Sequence, residues 1–392
     1  MRKKKSSSRN ELWYVVPVFV LLASVAGFLM WSKNSPKTSV AQGSGAQKTT
    51  STFYPTQYSD KHITQNAITT DPKYKDVSFV NKKDFLANIV SSLPAKPAPK
   101  SEPFEKGTWL WTPISYITPE YRDSIIAGAK KDGIKNIYIS IDTYLDIYVM
   151  PNGPEKDRAK KNFDDTLESF VTEAHKNNMT VDAEAGWQNW AEEGNLYKPL
   201  TVLDYVLKFN KAQKEKLRGF QYDVEPYMLP SYQNDKATVL YNFVSLVDQT
   251  ASVLKNQNIQ FSVVIPEFYD SKSAETPAFS YGGKNAYTID HLLSVLEQKP
   301  GSKIIVMAYR NFTKGDDGSI DVSRDEISRA DGYQTKIIVA QETGDVLPPY
   351  VTFHNTPKSY YEKQLTNIHD AFIQDKSYGG VATHYVNALL EL

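Results

Sequence analysis

The chain predicts a (β/α)8 TIM barrel preceded by a single N-terminal transmembrane helix and a linker. Three observations carry this expectation. Over residues 105–392, strand-like apolar segments alternate eight times with amphipathic helical ones, the count and length of a (β/α)8 barrel. The strand segments are near-continuous apolar runs, as a parallel sheet covered on both faces requires. An open doubly wound sheet shares the alternation but normally opens on a Gly-rich turn. The first strand, which runs into Trp109-Leu-Trp-Thr-Pro113, shows none.

The N-terminus sets the topology. Residues 1–11 form a basic tail with Arg2, Lys3, Lys4, Lys5 and Arg9, and residues 12–31 are free of charge. Twenty helical residues rise about 30 Å, the thickness of a bilayer core. Trp13, Tyr14 and Trp31 sit at the ends of the run, where an interfacial aromatic belt lies. A basic flank on this side predicts a cytoplasmic N-terminus, a single-pass anchor in the cell membrane and a C-terminal domain outside. A cleaved signal peptide has a shorter apolar core, of about 7–15 residues. Residues 32–104 read as a stalk, polar at first and proline-rich between 93 and 103. The domain of interest occupies residues 105–392.

In order, strand segments fall at 107–113, 135–142, 179–185, 217–227, 260–266, 303–309, 336–341 and 379–384. Helical segments fall between them at 120–132, 163–177, 200–215, 236–256, 288–298, 323–330 and 358–374. The second strand sets Ile137, Ile139 and Ile141 against Tyr138. Asp164 and Asp165 open the helix that follows, where the helix dipole favours anions.

Composition excludes some functions. The 392 residues carry 45 basic and 45 acidic side chains, a balance that gives no support for a nucleic-acid partner. There is no cysteine, so an exported domain has no disulfide and relies on its core. The 25 tyrosines and 6 tryptophans suit sugar-stacking surfaces and ordinary packing alike.

The fourth strand, Leu217-Arg-Gly-Phe-Gln-Tyr-Asp-Val-Glu-Pro-Tyr227, is the most telling segment. Asp223 and Glu225 lie two apart and share a face, opposite Phe220, Tyr222 and Val224. Two acids on an otherwise apolar strand are solvated, paired or functional. Barrel enzymes gather their chemistry at the C-terminal ends of the strands. Those ends carry Trp111, Asp142, Asp182 and Glu184, then Asp223, Glu225 and Glu267. Tyr309, Arg310, Gln341, Glu342, His384 and Tyr385 complete the set. Acids at one rim, with Trp187, Trp190, Tyr227 and Tyr269 nearby, describe a cleft for a neutral polyhydroxylated ligand: an oligo- or polysaccharide. Gln341 and Glu342 are adjacent, so only one of them points inward.

These residues carry a resemblance. Gly219-Phe-Gln-Tyr-Asp-Val-Glu-Pro-Tyr227 resembles the fourth-strand signature of family 18 glycoside hydrolases, the chitinase-like barrels, with acids spaced D-x-x-D-x-D-x-E. Val306-Met-Ala-Tyr309 is similar to the Met-x-Tyr element of that family's sixth strand. The chain departs from the pattern at Arg218 and Gln221, which replace the first two acids. It also departs at Arg310, at Asp182-Ala-Glu-Ala-Gly186 and at His384-Tyr385. The resemblance implies that Glu225 is the general acid, that Asp223 raises its pKa, and that Tyr309 holds an acetamido group of the substrate. It implies no cofactor.

A second mechanism stays open at this stage. Glu225-Pro226 also resembles the acid of two-carboxylate retaining barrel glycosidases, with Glu342 as nucleophile. A catalytically inactive glycan-binding barrel is the alternative outside enzymes, motivated by Arg218 and Gln221. A metal site is not expected: only His384, of six histidines, is well placed, and Asp316-Asp-Gly-Ser319 lacks calcium-loop spacing.

Overall fold

The computed structural model describes residues 104–270 and 276–392. The expected membrane helix and nearly all of the stalk lie outside the described residues. Among the described residues, no helix is long and apolar enough to cross a membrane.

Eight parallel strands close into a barrel. They are β1 (Glu105–Leu110), β2 (Asn136–Ser140), β3 (Thr180–Ala185), β4 (Gly219–Tyr222), β5 (Gln260–Pro266), β8 (Lys303–Met307), β9 (Lys336–Glu342) and β10 (Tyr378–His384). Around the barrel the order is β1-β10-β9-β8-β5-β4-β3-β2, so chain neighbours are sheet neighbours throughout. The other two strands, β6 (Phe279–Tyr281) and β7 (Lys284–Ala286), form an antiparallel hairpin. Its turn needs Gly282 and Gly283, both at positive φ (56° and 80°). So short a hairpin leaves no periodic trace in the sequence.

The helices are α1 (Pro119–Lys131), α2 (Tyr144–Tyr148), α3 (Pro154–Lys176), α4 (Tyr197–Ala212) and α5 (Lys236–Leu254). Then come α6 (Thr288–Leu296), α7 (Asp321–Ala330), α8 (Lys358–Phe372) and α9 (Val386–Glu391). Local chemistry starts them. Thr118 accepts from Tyr121 N ahead of α1, and Asp235 accepts from Thr238 N ahead of α5. Helix α3 begins nine residues before the sequence pattern suggests. Pro154 sits in its first turn, with Glu155 and Asp157 beside it, and its first turns are too polar to show an apolar stripe. The first strand ends earlier than its apolar run, because Ile114–Tyr116 already turns as a 3-10 helix after Pro113.

Two apolar bodies result. The larger fills the space between sheet and helices, from Ile137, Phe220 and Val263 out to Phe170, Phe243 and Leu292. The smaller lies inside the barrel, with Trp109, Tyr138, Val264, Ile305, Ile338, Ala340 and Ala382 in contact. Strand alternation sends Phe220 and Tyr222 outward and Gln221 inward, where it accepts from Trp109 Nε1 at 2.7 Å.

The bottom of the barrel is ionic. Arg218 is fully buried and holds Asp182 through Nε at 2.8 Å and Glu105 through Nη1 at 2.9 Å. Lys303, Tyr138 and Asn136 also bond Glu105. Burial alone would raise the Glu105 carboxyl, but Arg218 and Lys303 outweigh it and hold it below the usual range. Two acids and two bases cancel, which makes the burial tolerable.

Candidate active site

The opposite, C-terminal end of the barrel carries the remaining inward positions. Trp111 follows β1, Asp142 follows β2, and Asp223 and Glu225 follow β4. Tyr309 follows β8, and Glu342 and His384 end β9 and β10. Trp111, Asp142, Asp223, Glu225, Tyr227, Glu267, Tyr309 and His384 are all partly exposed, so they line an open floor. Gly186 lets that floor close up: a Cβ there would stand 1.9 Å from the Asp223 carbonyl oxygen. The Gly186 N–H donates to Asp142 Oδ1 at 3.1 Å. The loops after β3 and β4 carry 3-10 turns at Gln188–Ala191 and Pro226–Met228 that pack on each other beside it.

Four carboxyls crowd one side. Burial raises all four, and like charge adds to it at Asp142, Glu184 and Asp223. Asp223 is pushed up to about 8, by burial first and the Glu225 charge second, with His384 opposing. Glu225 is raised by burial, opposed by the hydrogen bond from Tyr227 and by His384. Asp142 is raised well above the usual range by burial, Asp223 and Asp146, against the Gly186 N–H. Glu184, only 1% exposed, is raised by burial, Asp142 and Asp223. Asp223 is thus raised as well as Glu225, whereas the sequence reading made Glu225 the raised member.

The other side is built round His384. Its Nδ1 lies 2.7 Å from Glu342 Oε2, and its Nε2 accepts from Trp111 Nε1 at 2.8 Å. Glu342 Oε1 accepts from Thr343 N at 2.8 Å and Gly344 N at 2.6 Å. Glu342 is 3% exposed and lies behind the imidazole. Tyr309 stacks on His384, with ring centroids 6.0 Å apart. The charges of Glu342, Asp223, Glu225 and Glu267 all bear on its hydroxyl, which burial and those charges keep protonated.

Several expected site residues lie elsewhere. Asp182 is at the ionic bottom, bound to Arg218. Its side chain shares a face with Glu184 but sits one layer lower, which alternation alone does not show. Gln341 points outward, donating to Ala308 O at 2.9 Å and accepting from Ser319 Oγ at 3.0 Å. Glu342 takes the inward parity. Trp190 and Tyr269 are buried in the outer core. Arg310 is consumed by Glu267 at 3.3 Å and Asp317 at 2.7 Å. Trp187 opens the loop after β3, and Tyr227 is braced by Phe268 at 5.4 Å. The sequence reading missed the amide pair of Thr343 and Gly344 that grips Glu342. The glycine two residues beyond the acid was its only trace. Among the described residues, no three acids or histidines are arranged to hold a metal ion.

No family model matches the chain, and no curated protein matches it. Solved structures are similar to it only at low identity and with TM-scores below 0.5. An endo-1,4-beta-D-mannanase from Thermotoga petrophila RKU-1 has a TM-score of 0.46 at 12% identity, over 72% of this chain and 87% of that one. The C-terminal domain of a putative chitinase from Desulfitobacterium hafniense DCB-2 has 0.46 at 12%, over 73% and 94%. A class V chitinase from Nicotiana tobaccum has 0.42 at 9%, over 74% and 98%.

Proposed function

We propose that this chain is a glycoside hydrolase that cleaves a cell-wall or environmental glycan, with Glu225 as general acid and Asp223 as the neighbour that shares its proton. The observation that carries the reading is the Asp223–Glu225 pair, both partly exposed on the floor of the strand-end cleft and both raised by burial. A glycosidic oxygen leaves readily only when protonated, and a positioned acid contributes about 10²- to 10⁴-fold. A carboxyl that burial makes hold its proton more tightly than usual, next to an aromatic-lined floor, fits that task.

Glu225 gives its proton to the bridging oxygen as the C–O bond to the anomeric carbon breaks. In the route the family 18 resemblance implies, the acetamido oxygen of the reacting sugar attacks that carbon. The Tyr309 hydroxyl positions the acetamido group. Water then opens the cyclic intermediate, and the Glu225 carboxylate takes its proton back from that water. Glu342 favours this route over a two-carboxylate one. It accepts three hydrogen bonds and lies behind His384 rather than on the floor, so it orients the imidazole. Arg218 and Gln221 depart from the family pattern at the bottom and middle of the barrel, away from the floor, which removes the main motive for a catalytically silent barrel.

We place the domain outside the cell on a membrane anchor formed by residues 12–31. The support is the uncharged length of that run and its basic N-terminal flank. Protease treatment of intact cells should remove the domain and leave the anchor behind.

The function is tested by Glu225→Gln on a panel of chitin-like oligomers, peptidoglycan and other wall glycans. Turnover is expected to fall about 10²- to 10⁴-fold while binding of the same glycan survives. A wild type that binds glycans and turns over none would identify a binding barrel instead.

A further inference from the structure

Strands β2, β3 and β4 bring three carboxyls together. Ser140 pairs in register with Glu184, and Glu184 with Gln221. Asp142 and Asp223, each two residues further along, therefore flank Glu184 at the mouth. Asp142 and Asp223 are partly open to the cleft, whereas Glu184 lies beneath them, 1% exposed. Neither Glu184 oxygen has a hydrogen-bond partner, and neither does Asp223 Oδ1. Ser140 is near enough to favour the Glu184 anion slightly without closing a hydrogen bond.

No lysine or arginine charge acts on any of the three, and His384 reaches only Asp223. Arg310, beyond the end of β8, is engaged by Glu267 and Asp317. The three acids thus leave acceptors of Glu184 and Asp223 unfilled and have no lysine or arginine partner, in contrast to the barrel bottom, where two acids meet two bases. A metal ion does not suit the vacant acceptors, since no three carboxyls converge with ligand geometry among the described residues. A primary ammonium does: it carries three N–H donors and the charge the cluster lacks.

We propose that Asp142 and Asp223, backed by Glu184, seat a protonated sugar amine, so that the substrate is a partially de-N-acetylated amino-sugar polymer. The proposal deepens the glycosidase reading and rests on it: the reacting sugar keeps its acetamido group, and an adjoining sugar presents the amine. Carboxyls that hold protons in the empty cleft ionise beside an ammonium, so binding is expected to release protons.

The test is calorimetric binding of two β-1,4-linked tetramers, one of N-acetylglucosamine throughout and one in which N-acetylglucosamine alternates with glucosamine (the amine tetramer), to the Glu225→Gln chain in two buffers of different ionisation enthalpy. The amine tetramer is expected to bind at least about tenfold more tightly and with proton release. Asp142→Asn, which keeps the acceptor for Gly186 N, should abolish that preference. Equal affinities, or tighter binding of the acetylated tetramer, would overturn the proposal. Comparing the two tetramers on the wild type by competition needs no variant and guards against misfolding.

Wild-type turnover of a mixed polymer separates the two readings. Amine preference without turnover supports the cation seat and removes the glycosidase. Turnover without amine preference removes the seat and leaves the glycosidase.

Discussion

Trp111 Nε1 donates to His384 Nε2 across 2.8 Å, and this one bond fixes the state of the imidazole. Nε2 must present its lone pair, so the proton sits on Nδ1, facing Glu342 Oε2 at 2.7 Å. Burial disfavours the imidazolium, but the Glu342 carboxylate, with Asp223 and Glu225 behind it, outweighs burial and raises the His384 pKa. A second proton on Nε2 would meet the Trp111 N–H head-on, so protonation requires the indole to turn.

Trp111→Phe keeps a ring on the floor and removes the N–H. His384 should then titrate at a higher pH than in the wild type. Nitrogen NMR of labelled histidine should show the neutral form as the Nδ1–H tautomer in the wild type, and an imidazolium persisting to higher pH in the variant. An unchanged titration would mean that the indole bond does not govern the imidazole.

Glu342→Gln removes the charge behind His384 while keeping an acceptor for the Thr343 and Gly344 amides. Turnover is expected to fall about 10- to 100-fold, the scale of a lost outer partner. Azide should restore nothing. A nucleophile's loss would instead be deeper and rescued by azide, and that result would reinstate the two-carboxylate mechanism.

Stability should depend on pH in a direction set by the raised carboxyls. Asp223 binds its proton up to about pH 8 when folded but only to about pH 3.9 when unfolded. Between those values the native state holds the extra proton, so stability falls as pH rises and levels off above the folded pKa. Glu184 and Asp142 are shifted in the same direction. Thermal unfolding at pH 5 should therefore lie several degrees above that at pH 9. Glu184→Gln, neutral at every pH, should flatten the slope. A melting temperature that climbs over this interval would show that these acids are ionised in the empty cleft.

Arg218→Met should act on folding alone. It strands Asp182 and Glu105 in the barrel bottom, a loss of about 3–5 kcal/mol for a broken buried pair. Chemical denaturation measures it, and the folded fraction should keep the wild-type KM. A raised KM at full stability would restore Asp182 to the substrate site.

Much of this architecture was legible because parallel strands are apolar on both faces. The reading of β5 as residues 260–266 coincides with Gln260–Pro266, where an apolar run interrupted only by Ser262 from Phe261 onward sits between a polar turn and Glu267. Alternation alone also placed Asp223 and Glu225 on one face. Height in the barrel was not legible. Asp182 and Glu184 share a face, but only the stagger of neighbouring strands puts one at the bottom and the other beneath the cleft. Parity at 341 and 342 stayed open because both residues are polar. Arg218 read as a defect in a catalytic signature, since its partners Glu105 and Asp182 lie 113 and 36 residues away.

The most direct measurement of the central claim compares Glu225→Gln with the wild type on two leaving groups. A sugar leaving group needs the proton, whereas a dinitrophenolate departs without one. The proton-donor role of Glu225 predicts a loss of about 10²- to 10⁴-fold on an oligosaccharide and less than about tenfold on the dinitrophenyl glycoside of the same sugar. Equal losses on both substrates would contradict that role, and undiminished cleavage of the oligosaccharide would remove Glu225 from the chemistry altogether.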